Sequence, residues 1–173
     1  MKKLWPYALL PVAVLIGYFL YWPRCCSTWL WTERLPAASR FDSVLGGAAY
    51  LDRETGLVWE AGQDGLSRSW VTAREVCMDR NIGDRKGWRL PAFNELTSLV
   101  DATQTNPALP TGHPFLNVQN NVYWSASTSA LAASPGTHAV GVDFGLGDVS
   151  MVNKANSAHV KCVRGAMAGP TIY

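Results

Sequence analysis

Asp143 and Asp148 flank the turn Gly145-Leu146-Gly147, and two facing carboxylates are the equipment of glycoside hydrolysis. Acids beside glycine-rich turns, however, ordinarily serve the turn itself by accepting from nearby amides. His113, His138 and His159 lie in separate segments, with neither H-x-H nor H-x-x-x-H spacing. They assemble no metal triad, and no serine or cysteine nucleophile pairs with one of them as a base. The residue types thus predict no catalytic residue, metal ligand or cofactor, and the chain reads as a non-enzyme. Recognition is the chemistry left. Asn117, Asn120 and Asn121 offer adaptable hydrogen bonding in a polar stretch. Tyr123 and Trp124 follow them as aromatic groups at its base, and these five are the candidate binding residues.

Charge narrows the partner. Of the fifteen Lys and Arg and thirteen Asp and Glu, four bases and one acid precede Arg40, which leaves eleven against twelve in the remainder. A near-neutral domain has no broad positive field, so nucleic acid is not expected as a partner. Arg85, Lys86, Arg89, Lys154 and Lys161 are a thin basic supply for any sulfated polymer.

Leu4 to Trp22 is nineteen residues without a charge, preceded by Lys2 and Lys3. A helix of that length spans roughly 28 Å, enough to cross a bilayer. A cleavable secretory signal is the alternative, but the first small-residue candidate for cleavage, Ala37-Ala38-Ser39, lies far downstream. Tyr18, Tyr21 and Trp22 gather at the far end as interfacial residues do, and the basic residues leave the N-terminus inside. The expected organisation is an anchor or signal over residues 1–24, a juxtamembrane stalk over 25–39 containing Trp29 and Trp31, and an exported domain over 40–173. Cys25 and Cys26, just past the span, could be acylated, cross-link two chains or pack as small apolar groups.

Within the domain only Cys77 and Cys162 remain, far apart and without CxxC spacing. A single structural disulfide is expected of such a pair in an exported chain, with zinc the lesser alternative. Closing a loop of about 85 residues would contribute roughly 4.5 kcal/mol on the chain-entropy model.

The elements that must position these residues are legible in part. Ala48 to Leu51 and Leu57 to Trp59 read as strands joined through Asp52-Arg53-Glu54-Thr55-Gly56. Ser69 is an N-cap for a helix through about Arg80, with Trp70, Ala73, Val76 and Cys77 at helical spacing. Asn81 to Lys86 is a loop, and a second helix starts at Pro91 and runs to Val100. Ala102 to Asn121 is long and irregular, as functional loops often are. Strands follow at Val122 to Ser125, Ala139 to Phe144, Val149 to Val152 and Ala158 to Val163, with Ser127 to Gly136 a second small-residue loop. The pattern is α+β. Trp59, Trp70, Trp88 and Trp124 stand in apolar surroundings and are expected in the core, with sugar stacking as the alternative. Arg89 and Glu95 are expected to brace each other as scaffold.

Four motifs carry a resemblance: Asp52-Arg53-Glu54-Thr55-Gly56-Leu57-Val58-Trp59, Gly87-Trp88-Arg89-Leu90-Pro91 with Ala92-Phe93-Asn94-Glu95-Leu96, Val122-Tyr123-Trp124-Ser125, and Val160-Lys161-Cys162-Val163-Arg164. Across roughly Arg40 to Arg164 the chain resembles the bacterial Lcl C-terminal domain family. That resemblance implies a C-type-lectin-like fold, and the span and its flanking charges place the chain as single-pass in the bacterial inner membrane, with the domain expected to be periplasmic or extracellular. Related adhesin domains imply glycan binding. The calcium-dependent lectins of this fold use acids in the long loop; Thr103 to Asn121 holds none, and Trp124-Ser125-Ala126 keeps only the aromatic of their downstream segment, so calcium is not expected. The function expected is a membrane-anchored binding module for a glycan or an envelope protein. A structural subunit assembling through Leu4 to Trp22 and Cys25 is the first alternative, and an enzyme of the formylglycine-generating-like fold the second.

Overall fold

A computed structural model of the chain describes residues 34–128 and 136–167. The span Leu4 to Trp22, Cys25, Cys26 and most of the Ser127 to Gly136 loop lie outside the described residues. Among those described, no helix is long and apolar enough to cross a membrane. A compact unit starts at Arg34, ahead of the boundary expected at Arg40. A short helix, α1 (Ala37–Arg40), spans that boundary and buries Ala37, inside the segment expected as a stalk, together with Arg40.

The domain is α+β with two antiparallel sheets. In the first, β1 (Phe41–Val44), β2 (Ala49–Asp52), β3 (Val58–Glu60), β8 (Val163–Arg164) and β4 (Trp88–Arg89) lie in that order. In the second, β5 (Val122–Thr128), β6 (His138–Asp143) and β7 (Val149–Asn153) form a meander. The β2–β3 turn falls where expected, and Asp52 builds it by accepting from the Glu54 amide at 3.0 Å and the Thr55 hydroxyl at 3.0 Å. Gly56, at φ +73°, completes the turn in a conformation few side chains tolerate.

Helix α2 (Trp70–Asp79) begins at the predicted cap, where Ser69 Oγ accepts from the Thr72 amide at 3.5 Å. It buries Trp70, Ala73 and Cys77 and turns Val71 and Met78 outward. Helix α3 (Phe93–Ser98) starts later than Pro91. Two competing bonds explain the shift: the Pro91 carbonyl accepts from the Ala126 amide at 2.7 Å, and Glu95 Oε2 reaches back to the Ala92 amide at 2.8 Å, making Ala92 the N-cap. Alanine has no oxygen with which to reciprocate, and Ser127 Oγ accepts from the Phe93 amide instead, at 3.1 Å.

The last predicted strand, Ala158 to Val163, is broken. Ala158 bridges Arg68, His159 bridges Tyr123 in the second sheet, and only Val163–Arg164 enters the first, between β3 and β4. A segment that crosses from one sheet to the other cannot keep a single ladder. The crossing is fixed by the Cys77–Cys162 disulfide, S–S 2.04 Å, which ties α2 to this segment.

Burial forms two clusters. One joins Phe41, Trp59, Leu96, Leu99, Tyr123 and Phe144; the other surrounds the disulfide with Trp70, Trp88, Leu90, Trp124 and Val160. Trp59 and Trp124 are fully buried, at 0% exposure, and Trp88 is nearly so. Their indoles each contribute a few kcal/mol to packing.

Candidate functional site

The expected scaffold pair forms. Arg89 Nη1 and Nη2 donate to the two carboxylate oxygens of Glu95, each at 2.7 Å, and Nη2 also donates to the Gly165 carbonyl at 2.7 Å. Burial alone would push the Glu95 carboxyl up, but the Arg89 fork and the Ala92 amide together hold it below its ordinary range. The pair joins the start of α3 to the end of β8.

A second buried pair was not visible in the sequence. Arg40, fully buried, donates from Nε and Nη2 to the Asp52 carboxylate at 2.9 and 2.7 Å and to the Ser98 carbonyl at 2.9 Å. The Asp52 that shapes the β2–β3 turn therefore also neutralises a core guanidinium. The only hint in the sequence is an acid opening the Asp52-Arg53-Glu54-Thr55-Gly56 motif.

A third set lies behind the disulfide. Glu60 Oε1 accepts from the Cys162 amide at 2.7 Å, and Lys161 Nζ donates to the Glu60 carbonyl at 3.1 Å while sitting 3.9 Å over the Phe115 ring. Burial pulls the Lys161 ammonium down to about 8, against the opposing field of Glu60. Glu60 is pushed up by its burial, opposed by Lys161, the Cys162 amide and Arg80. Lys161 is 0% exposed and drops out of the surface basic supply in which the sequence placed it.

The candidate binding residues separate. Tyr123 and Trp124 are both 0% exposed and belong to the core, so neither presents a ring to a ligand. Trp124 Nε1 donates to the Arg68 carbonyl at 2.7 Å, and the Tyr123 hydroxyl accepts from the Gln119 amide at 2.7 Å and from Gln63 Nε2 at 2.6 Å. Burial raises that hydroxyl to about 12 despite these donors. The physical reason is the strand: successive side chains point to opposite faces, and β5 is covered on both faces where Tyr123 and Trp124 lie. Asn117, Asn120 and Asn121 are exposed. Asn121 Oδ1 accepts from the Val122 amide at 2.8 Å. Asn117 laces two loops together: its Nδ2 donates to the Gln63 carbonyl at 2.9 Å, Gln63 Nε2 donates back to the Asn117 carbonyl at 2.9 Å, and Gln119 Nε2 donates to Asn117 Oδ1 at 3.0 Å. Gly62 and Leu116 bridge beside them. Asn120 alone of the three makes no side-chain hydrogen bond within the described residues.

Sequence reasoning missed the concavity on the other side of the 62–68 loop. It is a shallow, solvent-open depression of about 440 Å³ between Asp64 and Arg68 on one side and Asp79, Arg80 and Asn81 at the end of α2 on the other. Val76 and Ile82 supply apolar wall. Arg68 forks onto Asp64 at 3.0 and 2.6 Å, and that bond is the main reason the Asp64 carboxyl falls to about 2. Arg80 instead lies 3.5 Å from Glu60 Oε2 and 3.6 Å from Asp64 Oδ2, ion-pair distances without hydrogen-bond geometry. Its signal in the sequence was slight, a run of polar residues closing a helix. Asp143 lies apart from this surface and serves its own turn, accepting from the Gly145 amide at 2.7 Å.

No curated protein matches the chain. The Lcl C-terminal domain matches residues 48–164, well over half of the length, and every motif discussed above lies inside that match; the chain belongs to the Lcl C-terminal domain family.

Proposed function

We propose that this protein is a membrane-anchored, exported recognition module of the cell envelope, with a C-type-lectin-like domain that binds a glycan or a protein partner without catalysis. The observation that carries the reading is the lacing of the Gln63 and Asn117 loops through reciprocal amide bonds. Asn117 holds a left-handed backbone, φ +56°, to make them. Such local strain is retained where the surrounding structure fixes it, and it is commonest at functional surfaces. Laced loops lose little further freedom on binding, so the ordering cost of association is small. Asn120 projects from this braced surface with its amide uncommitted, ready to donate and accept. The uncharged span Leu4 to Trp22 supports anchoring, and a disulfide supports an oxidising compartment.

The test uses the intact chain in detergent on a glycan array and in a pull-down from envelope extract, beside an Asn120→Ala variant and a variant with residues 117–121 replaced by glycine and serine. Capture of a defined glycan or polypeptide that falls in both variants is the expected result. Capture unchanged by either variant would remove the loop surface from the reading.

A further inference from the structure

We infer that the concavity between the Asp64–Arg68 fork and the end of α2 is a binding site for an uncharged polyol, of the class of a single sugar ring. The inference rests on the reading of the domain as a binding module and gives that module a ligand chemistry.

Charge balance excludes the simpler ligands. Asp64 and Asp79 oppose Arg68 and Arg80 around the rim, and the buried Glu60 and Lys161 act on each other as opposite charges. An anion drawn to Arg80 meets Asp64 and Glu60 within 3.6 Å of the same guanidinium; a cation drawn to Asp64 meets Arg68 on its oxygens. Asp64 stays ionised down to about pH 2, so the Asp64–Arg68 fork keeps its own balance at neutral and mildly acidic pH.

The hydrogen-bonding groups are unequally committed. The Asp64–Arg68 fork is closed on itself and rigid. Among the described residues Arg80 makes no side-chain hydrogen bond: its buried Nε faces Glu60 at 3.5 Å, and Nη2 lies 3.6 Å from Asp64. Asp79 and Asn81, exposed on either side of it, make none among the described residues. This stretch thus offers a guanidinium edge and an amide without hydrogen bonds next to a carboxylate acceptor that is also free of them among the described residues. A hydroxyl both donates and accepts, and adjacent hydroxyls on a ring can meet a carboxylate and a guanidinium together. Val76 and Ile82 give the C–H face of such a ring an apolar wall. The volume, 440 Å³, falls within the range of about 300–1,000 Å³ typical of small-ligand sites. The floor is held in place because Arg80 follows Cys77 by less than a turn, its amide donating to the Cys77 carbonyl at 3.2 Å beside the disulfide.

Titration of the intact chain with glucose, galactose, mannose and N-acetylglucosamine, followed by saturation-transfer NMR and calorimetry, tests the site, with glucuronate and glucosamine as charged counterparts of the same ring. At least one neutral sugar is expected to bind, with its charged counterpart weaker. Arg80→Gln should weaken that sugar about tenfold, the loss expected for charge-assisted hydrogen bonds. Because Arg80 faces buried Glu60, Asp79→Asn and Asn81→Ala repeat the test at exposed positions, and both should weaken binding at an unchanged melting temperature. Silence of all four neutral sugars, tighter binding of glucuronate or glucosamine, or binding indifferent to all three substitutions overturns the inference. Capture through the 117–121 surface is read separately, so retained capture with silent sugars would sink the ligand class and leave the recognition module standing.

Discussion

At the scale of single residues the domain spends its buried charges on bracing. Lys161 shows the cost. An ordinary lysine titrates near 10.5 and this one near 8, so between those values the unfolded chain still holds a proton that the native state has released. Native stability must then rise with pH across that window, and the full penalty is present below it. Urea unfolding should show a gain on the order of 1.5 kcal/mol between about pH 8 and 9.5, and Lys161→Met should flatten that rise. A slope unchanged in the variant would assign the titration to another group. Glu95 makes the opposite case, since its carboxylate serves both the Arg89 fork and the α3 cap. Glu95→Ala should cost about 2–4 kcal/mol in unfolding free energy, with Glu95→Gln costing less because it keeps one acceptor. The Arg89–Glu95 pair was legible because both residues sit in one motif at a helix start. Arg40 was not, because its partners Asp52 and Ser98 come from distant segments that no spacing links.

At the scale of elements, the α2 start held, while the ends of α3 and of several strands drifted. Ser69 capped α2 as its side chain predicts, and Ser69→Ala should lower stability by about 0.5–1 kcal/mol, the lower range because the bond to the Thr72 amide is long at 3.5 Å. In the second sheet Gly141 is the position with no room. A Cβ there would lie 2.5 Å from Val122 Cγ1 and 3.2 Å from Val152 Cγ2, its neighbours on both flanking strands. Gly141→Ala is therefore expected to destabilise by about 1–3 kcal/mol, measured by thermal melting, with the loss reduced when Val122 is also cut to alanine. A melt unaffected by Gly141→Ala would mean that β5 and β6 sit farther apart. The two-residue strand β4 escaped the sequence because two residues carry no period, and of the strand expected over Ala158 to Val163 only its end enters β8, which lies between β3 and β4.

At the scale of the whole molecule, one covalent link joins α2 to the segment that crosses between the sheets. Cys77→Ala with Cys162→Ala should cost about 2–5 kcal/mol by urea unfolding and expose the Trp124 cluster to quenchers; an equal midpoint in the double variant would show that packing alone holds the crossing. By itself the sequence determined the class of fold, the pairing of the only two domain cysteines, the helix start at Ser69, the Arg89–Glu95 brace and the burial of Trp59 and Trp88. Each of these follows from local spacing or from the scarcity of alternatives. The tertiary structure alone decided that Tyr123 faces inward, that Lys161 and Arg40 are core residues, and that Asp64, Arg68 and Arg80 line a solvent-open concavity. Those facts depend on which segments are brought against one another. Packing across long sequence separations sets burial and pairs charges, and hydropathy or spacing along a chain carries no record of it.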